Sequence, residues 1–171
     1  QPVEAFRGMN ILNPTLSGDS VFTSSYGGGT VLLGLDRREE AFTVRTIWKT
    51  RSEGYMSTPV VIGGKAYLHR RDRRFSCVDV ASGQELWVTQ EKFGQYWSLV
   101  SNGTLILALD QKGELLLIRA NPTKFDLLDR RTVSTAQAWA HLVVCGEEVL
   151  VREQRAIAAY HWRQATPRPE R

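Results

Sequence analysis

Reactive side chains are sparse in this chain, and their spacing argues against the commoner forms of site chemistry. The three histidines, His69, His141 and His161, stand at no metal-ligand spacing. No serine, histidine and aspartate share a triad-like setting. Tyr26-Gly27-Gly28-Gly29 could cradle a phosphate only with a helix N-terminus behind it, and the strand-forming Thr30–Leu35 follows instead. Cys77 and Cys145 occupy different strand positions and read as two separate buried thiols, since free cysteine behaves as a small hydrophobe. No catalytic and no metal-binding residue is assigned, and the balance is against an enzyme. What remains is recognition chemistry. Amide, aromatic and imidazole groups at Asn10, Asn13, Tyr55, Gln95, Trp97, Trp139 and His141 accompany the arginines Arg70 and Arg73. Arginine grips carboxylate or phosphate bidentately, so the set suits a carbohydrate, an acidic peptide or another polyanion.

Such residues need a frame, and composition bounds it. The 171 residues are 42% apolar, enough to fill a core. The net charge of +4 is scattered along the chain, which speaks against nucleic acid as a partner. No apolar run approaches the roughly 18 residues needed to span a bilayer, and no signal peptide is present.

The frame itself is repetitive. Met56 to Trp87 reads as four short strands: Pro59–Ile62, a Gly63-Gly64 turn, Lys65–His69, a charged tip at Arg70–Arg74, Phe75–Val80, and an outer strand from Glu85. Asp79, with Ser82 and Gly83, closes the last turn by capping free backbone N–H groups. The turn position recurs at Asp19, Gly64, Gly103 and Gly146, spacings of 45, 39 and 43 residues. A period near 40 with four strands per unit predicts β-propeller blades, four-stranded antiparallel meanders in an all-β fold. The repeats cover about 13–50, 58–90, 97–131 and 139–162. Residues 1–12 read as the end of a preceding blade, with Val3–Phe6 as an outer strand, and 163–171 as a disordered tail. Arg37–Glu40 reads as a charged loop, and Phe125 stands near where the other repeats carry Trp48 and Trp87. The fourth repeat lacks an outer strand. Either residues 3–7 complete it in a small ring, or, the favoured alternative, the chain is about half of a larger propeller.

In such a fold the segments leading into each first strand and the tips joining second to third strands share one face. That face gathers the recognition residues above with Tyr26, Arg71, Arg74, Gln111, Lys112, Arg152 and Arg155. Packing competes for several of them. Trp97 and Trp139 suit the space between blades, Trp48 and Trp87 suit outer-strand docking, and His141 suits a structural place at an inner strand.

Cys77-Val78-Asp79-Val80-Ala81-Ser82-Gly83-Gln84-Glu85-Leu86-Trp87 resembles the x-x-D-x-x-T/S-G-x-x-x-W element of pyrroloquinoline-quinone-type propeller repeats, and Ser57–Lys65, with Pro59 and Gly64, resembles the strand that opens one. RGMNILNPT, GYMSTPVVI, YWSLVSNG, GELLLIRANP and WAHLVVCGEE extend the likeness from Phe6 to Trp162. The chain is similar to the C-terminal half of bacterial quinoprotein-like repeat proteins, whose repeats resemble those of the outer-membrane assembly lipoprotein propeller. The resemblance implies a periplasmic or extracytoplasmic scaffold that binds a protein partner, the missing half-propeller or a second copy. It implies no cofactor in that case. Its alternative is a dehydrogenase using pyrroloquinoline quinone with calcium. Those enzymes carry adjacent cysteines and a carboxylate-amide cluster, and this chain has no Cys-Cys pair. A carbohydrate-binding module is the third reading.

Overall fold

Alternating apolar residues between glycine turns produce four antiparallel sheets, each a meander. The computed structural model describes residues 2–39 and 41–162. The first sheet holds β1 (Thr15–Ser17), β2 (Ser20–Ser25), β3 (Gly29–Arg38) and β4 (Ala41–Thr50). The second holds β5 (Val60–Ile62), β6 (Lys65–His69), β7 (Phe75–Asp79) and β8 (Glu85–Val88). In the third are β9 (Trp97–Ser101), β10 (Leu105–Asp110), β11 (Glu114–Arg119) and β12 (Asp126–Thr132). The fourth has three strands among the described residues, β13 (Val143–Cys145), β14 (Glu148–Arg152) and β15 (Ile157–His161).

Each β5-type strand turns into its neighbour through a residue in the left-handed region. Gly63 (φ 54) and Gly64 (φ 72) both need that freedom, as the first hairpin turn of the second blade requires. The pairings Val60↔Tyr67 and Val100↔Leu107 place Gly63, not Gly64, over Gly103, so the sequence register was one residue out there.

A bulge interrupts three of the four meanders at one place. Trp48 lies opposite Leu32, Trp87 opposite Cys77 and Asp129 opposite Leu117, each next to a residue left unpaired on the outer strand. The added twist turns the outer strand so that its large side chain meets the next blade. Trp48 donates its indole N–H to the Val80 carbonyl at 2.8 Å, and Trp87 donates to the Asn121 carbonyl at 2.9 Å. Gly83 explains its place in the D-x-x-S-G element: a Cβ there would lie 2.8 Å from Trp48 Cδ2. The second blade therefore carries glycine at this turn because the first blade's indole rests on it.

The core is three apolar layers between the blades. Phe22, Leu32, Ala66, Val78 and Val80 fill the first, and Tyr67, Phe75, Trp97, Ile106 and Leu116 lead the second. Leu109, Leu115, Leu142, Val149 and Val151 form the third. Burying each of the valine, leucine, isoleucine and phenylalanine side chains among these contributes about 1.5–3 kcal/mol, which no single sheet could obtain alone.

Several expectations are corrected. Val3–Phe6 is not a strand, and Phe6–Gly8 is a single 3-10 turn. This segment packs on the first blade, where Ser25 Oγ donates to the Glu4 carbonyl, and it does not complete the fourth sheet. Of Arg37–Glu40, expected as a loop, Arg37 and Arg38 are strand, paired Arg37↔Phe42 and Arg38↔Ala41, Glu39 (φ 53) lies in the turn, and Glu40 is outside the described residues. The Trp48 position in the third blade is held by Asp129, not Phe125, which instead packs against Trp87 and Phe75. Cys77 is buried as expected, but Cys145 is exposed at the end of a short edge strand. The tail at 163–171 lies outside the described residues.

Candidate functional site: an aromatic and arginine loop face

Backbone hydrogen bonds tie each lead-in segment to a hairpin tip at one end of the blades. Phe6 N–H donates to the Tyr26 carbonyl (2.6 Å), Arg71 N–H to Glu53 (2.9 Å) and Gln111 N–H to Tyr96 (2.9 Å). These bonds satisfy loop backbone that would otherwise move, so the side chains they carry are presented on a fixed platform.

Two clusters stand on this face. In the first, the Arg71 guanidinium lies over the Tyr26 ring with its carbon 3.8 Å from the centroid, and donates to the Tyr26 hydroxyl at 3.0 Å and to Glu53 at 2.9 Å. Phe6 flanks Tyr26 on one side at 4.7 Å, and Tyr55 meets it edge-on at 5.8 Å. Beside this cluster a cleft of about 310 Å³ is lined by Arg51, Glu53, Arg70, Arg71 and Asp72. Arg70 is held within it by Glu85 (2.6 Å) and Asp72 (3.3 Å). In the second cluster, Trp139 is 40% exposed and stacks on Tyr96 at 6.1 Å and 20°. Gln137 accepts the Trp139 indole N–H, and His141 Nδ1 lies 3.5 Å from the Tyr96 hydroxyl.

The sequence-selected residues divide accordingly. Tyr55 and Arg70 join the first cluster, and Trp139 and His141 the second. Gln95 is exposed, its backbone N–H bound to the Gln111 side chain at 2.9 Å. Arg73 is exposed at its tip in a left-handed conformation (φ 68), where its carbonyl accepts from Phe93 N–H. Asn10 and Asn13 are exposed on the first blade, Asn13 N–H reaching Thr58 Oγ1 at 3.1 Å. Trp97 is the correction. Its side chain is 0% exposed and its indole N–H donates to Asp110 at 2.8 Å, so it packs between blades and reaches no surface ligand. Glu53 and Arg51 were missed, because only tertiary contact brings them beside Arg71.

Beneath the face lies a buried polar network that the sequence reading also missed. His69 is fully buried, stacks on Trp97 at 5.1 Å and 15°, and holds Nδ1 3.2 Å from Ser57 Oγ. Ser57 Oγ also accepts Trp97 N–H at 2.8 Å. The other imidazole nitrogen, Nε2, is buried without a hydrogen-bond partner. Burial pushes the His69 pKa down to about 4, while the charges of Asp110 and Asp72 and the Gly94 backbone act the other way. Asp110 is buried too, accepting from Trp97 Nε1, Gly94 N–H (2.6 Å) and Lys112 N–H (2.6 Å). A Cβ at Gly94 would approach Asp110 Oδ1 to 2.6 Å, which is why the approach needs glycine.

Residues 4–89, half of the chain, match the family described as outer membrane protein assembly factor BamB. The chain belongs to this BamB-like family of quinoprotein-type propeller repeats. Among solved structures it is similar to BamB from Moraxella catarrhalis, at 16% identity and a TM-score of 0.67, over 87% of this chain and 43% of that one. The chain thus spans less than half the length of that BamB. It is also similar to the computationally designed Ika4 protein (12% identity, TM-score 0.57, 94% of this chain and 98% of that one). The β-propeller domain of Cps50 (Swd1) from Myceliophteria thermophila is a third (11% identity, TM-score 0.61, 85% and 53%). At these identities the structures establish the propeller fold. No curated protein matches the chain in sequence.

Among the described residues, no three His, Cys, Asp or Glu side chains are grouped as a metal site. Asp79, the aspartate of the repeat element, is committed to structure. Lys65 at 2.7 Å and the Ser82 N–H and hydroxyl hold its pKa down to about 2. No helix among the described residues is long and apolar enough to cross a membrane.

Proposed function

We propose that this BamB-like propeller segment is a non-catalytic interaction module whose loop face binds an acidic, aromatic-containing segment of a partner protein. The observation that supports it is the Tyr26–Arg71–Glu53 arrangement. A guanidinium laid on an aromatic ring keeps its charge while losing little freedom on binding, which lowers the entropic cost of recognition. The neighbouring cleft, with three arginines and two carboxylates, presents Arg51 to an incoming carboxylate. The family's description as an outer membrane assembly factor supports an extracytoplasmic location and a partner in that assembly.

A fluorescent peptide of alternating aspartate and tyrosine is a suitable probe. Anisotropy should show saturable binding that weakens roughly tenfold with Arg71→Ala, about 1.4 kcal/mol, and further with added salt. Equal affinity of the wild type and the Arg71→Ala variant would overturn this reading. Light scattering separates a foreign partner from a second copy of the chain. A 19.3 kDa monomer that binds the peptide supports the proposal, and a dimer whose formation blocks peptide binding assigns the face to self-association.

A further inference from the structure

Two of the three gaps between blades are built to one plan, and the third departs from it. Between the first and second blades, Phe22 and Trp48 fill the space as an aromatic pair with centroids 6.0 Å apart. Between the second and third, Tyr67 and Trp87 do so at 6.1 Å. The strand registers place Leu107 where Phe22 and Tyr67 stand, and Asp129 where the tryptophans stand. Two rings are thus replaced by one leucine and one carboxylate. Asp129 is held in turn by Arg131 Nε at 2.7 Å and by the Arg130 N–H at 2.9 Å.

The third gap is packed around Leu109 and Val151 but open around Leu107. A cleft of about 800 Å³ runs between the blades, within the range of small-molecule sites. Its walls are Leu105, Leu107 and Leu117 on the third blade and Val144, Val149 and Trp162 on the fourth. Docking here follows a reversed plan. The tyrosine of the later blade, Tyr160, donates its hydroxyl to the Val133 carbonyl of the earlier one, so the blades are joined without the cleft being filled. The rim carries Ser101, Asn102 and Glu147, and Glu147 is paired with His161 at 3.1 Å. No lysine or arginine stands among the described lining residues. Among the described lining residues the one acidic or basic side chain is Glu147, a carboxylate that disfavours a negative ligand.

We propose that the cleft between the third and fourth blades binds a small planar aromatic molecule that carries no negative charge. The space is shaped for the two rings that its counterparts hold, Trp162 supplies a stacking surface, and the rim disfavours anions.

The test uses the whole chain and two fluorescent probes, neutral N-phenyl-1-naphthylamine and anionic 1-anilinonaphthalene-8-sulfonate. The neutral probe should bind saturably at one site, with the sulfonate weaker by roughly tenfold or more. Leu107→Tyr combined with Asp129→Trp rebuilds the ring pair and should weaken the neutral probe by roughly tenfold or more. Val144→Lys is a second variant at a position 48% exposed, so it leaves the core intact; it should produce the same loss and decides the matter if the double variant does not fold. Non-saturable binding, equal affinity for the sulfonate, or full affinity in Val144→Lys would overturn the proposal.

Discussion

Replacing His69 by phenylalanine should remove much of the acid sensitivity that this propeller segment carries. In the folded chain the imidazole is buried against Trp97 with one nitrogen unpartnered, and its pKa is pushed down to about 4 from an ordinary 6.5. The unfolded chain therefore binds a proton at a pH where the folded chain does not. Stability from this group is complete above pH 6.5, falls as the pH drops through the window from 6.5 to 4, and is lost below it. At 1.36 kcal/mol per unit the window is worth about 3 kcal/mol. Asp110 and Asp72 pull the pKa upward, but both act against a larger burial effect, so the direction holds. Phenylalanine keeps the stack on Trp97 and forfeits the Ser57 contact, about 1 kcal/mol at neutral pH. Urea unfolding followed by tryptophan emission at pH 7.5 and pH 4 measures the difference. The wild type should lose about 3 kcal/mol more than the His69→Phe variant across that range. Equal losses in the two proteins would refute the reasoning, since the imidazole would then titrate alike folded and unfolded.

Other consequences are as direct. Gly83→Ala should destabilise by about 2–3 kcal/mol in chemical denaturation, because it combines a left-handed backbone (φ 74) with a Cβ driven into Trp48. Gly63→Ala, left-handed (φ 54) with nothing within 4 Å of its Cβ, should cost only about 1 kcal/mol, and equal losses at both sites would exclude the indole as the cause. N-ethylmaleimide at neutral pH should label Cys145 in the folded chain and reach Cys77 only in urea, since burial pushes the Cys77 thiol up to about 11. Rapid native labelling of both thiols would show that the second blade opens.

Much of the fold was legible because it is written locally and repeated. Glycine turns, strand alternation and the D-x-x-S-G…W element each act over a few residues, and their recurrence identifies blades without any knowledge of contacts. The docking roles of Trp48 and Trp87 followed from their outer-strand positions, and the turn role of Asp79 from its distance to Ser82 and Gly83. Where the local signal was weak, register slipped by a residue, and the charged pair Arg37-Arg38 reads as loop although its backbone completes a long ladder.

The site was legible only as a face. Repeat position alone places lead-in segments and hairpin tips at one end, but it is silent on which side chains turn outward. Trp97 and Trp139 look alike in sequence, yet one is sealed between blades by Asp110 and Phe93 while the other lies open on Tyr96. Arg71, Tyr26 and Glu53 come from different blades and segments, and only packing sets a guanidinium on a ring with a carboxylate beside it. The burial of His69 and the open third gap are likewise products of neighbours. Chain-local preferences determine strands and turns, whereas exposure, charge pairing and empty volume belong to surfaces that exist only once one blade is laid against the next.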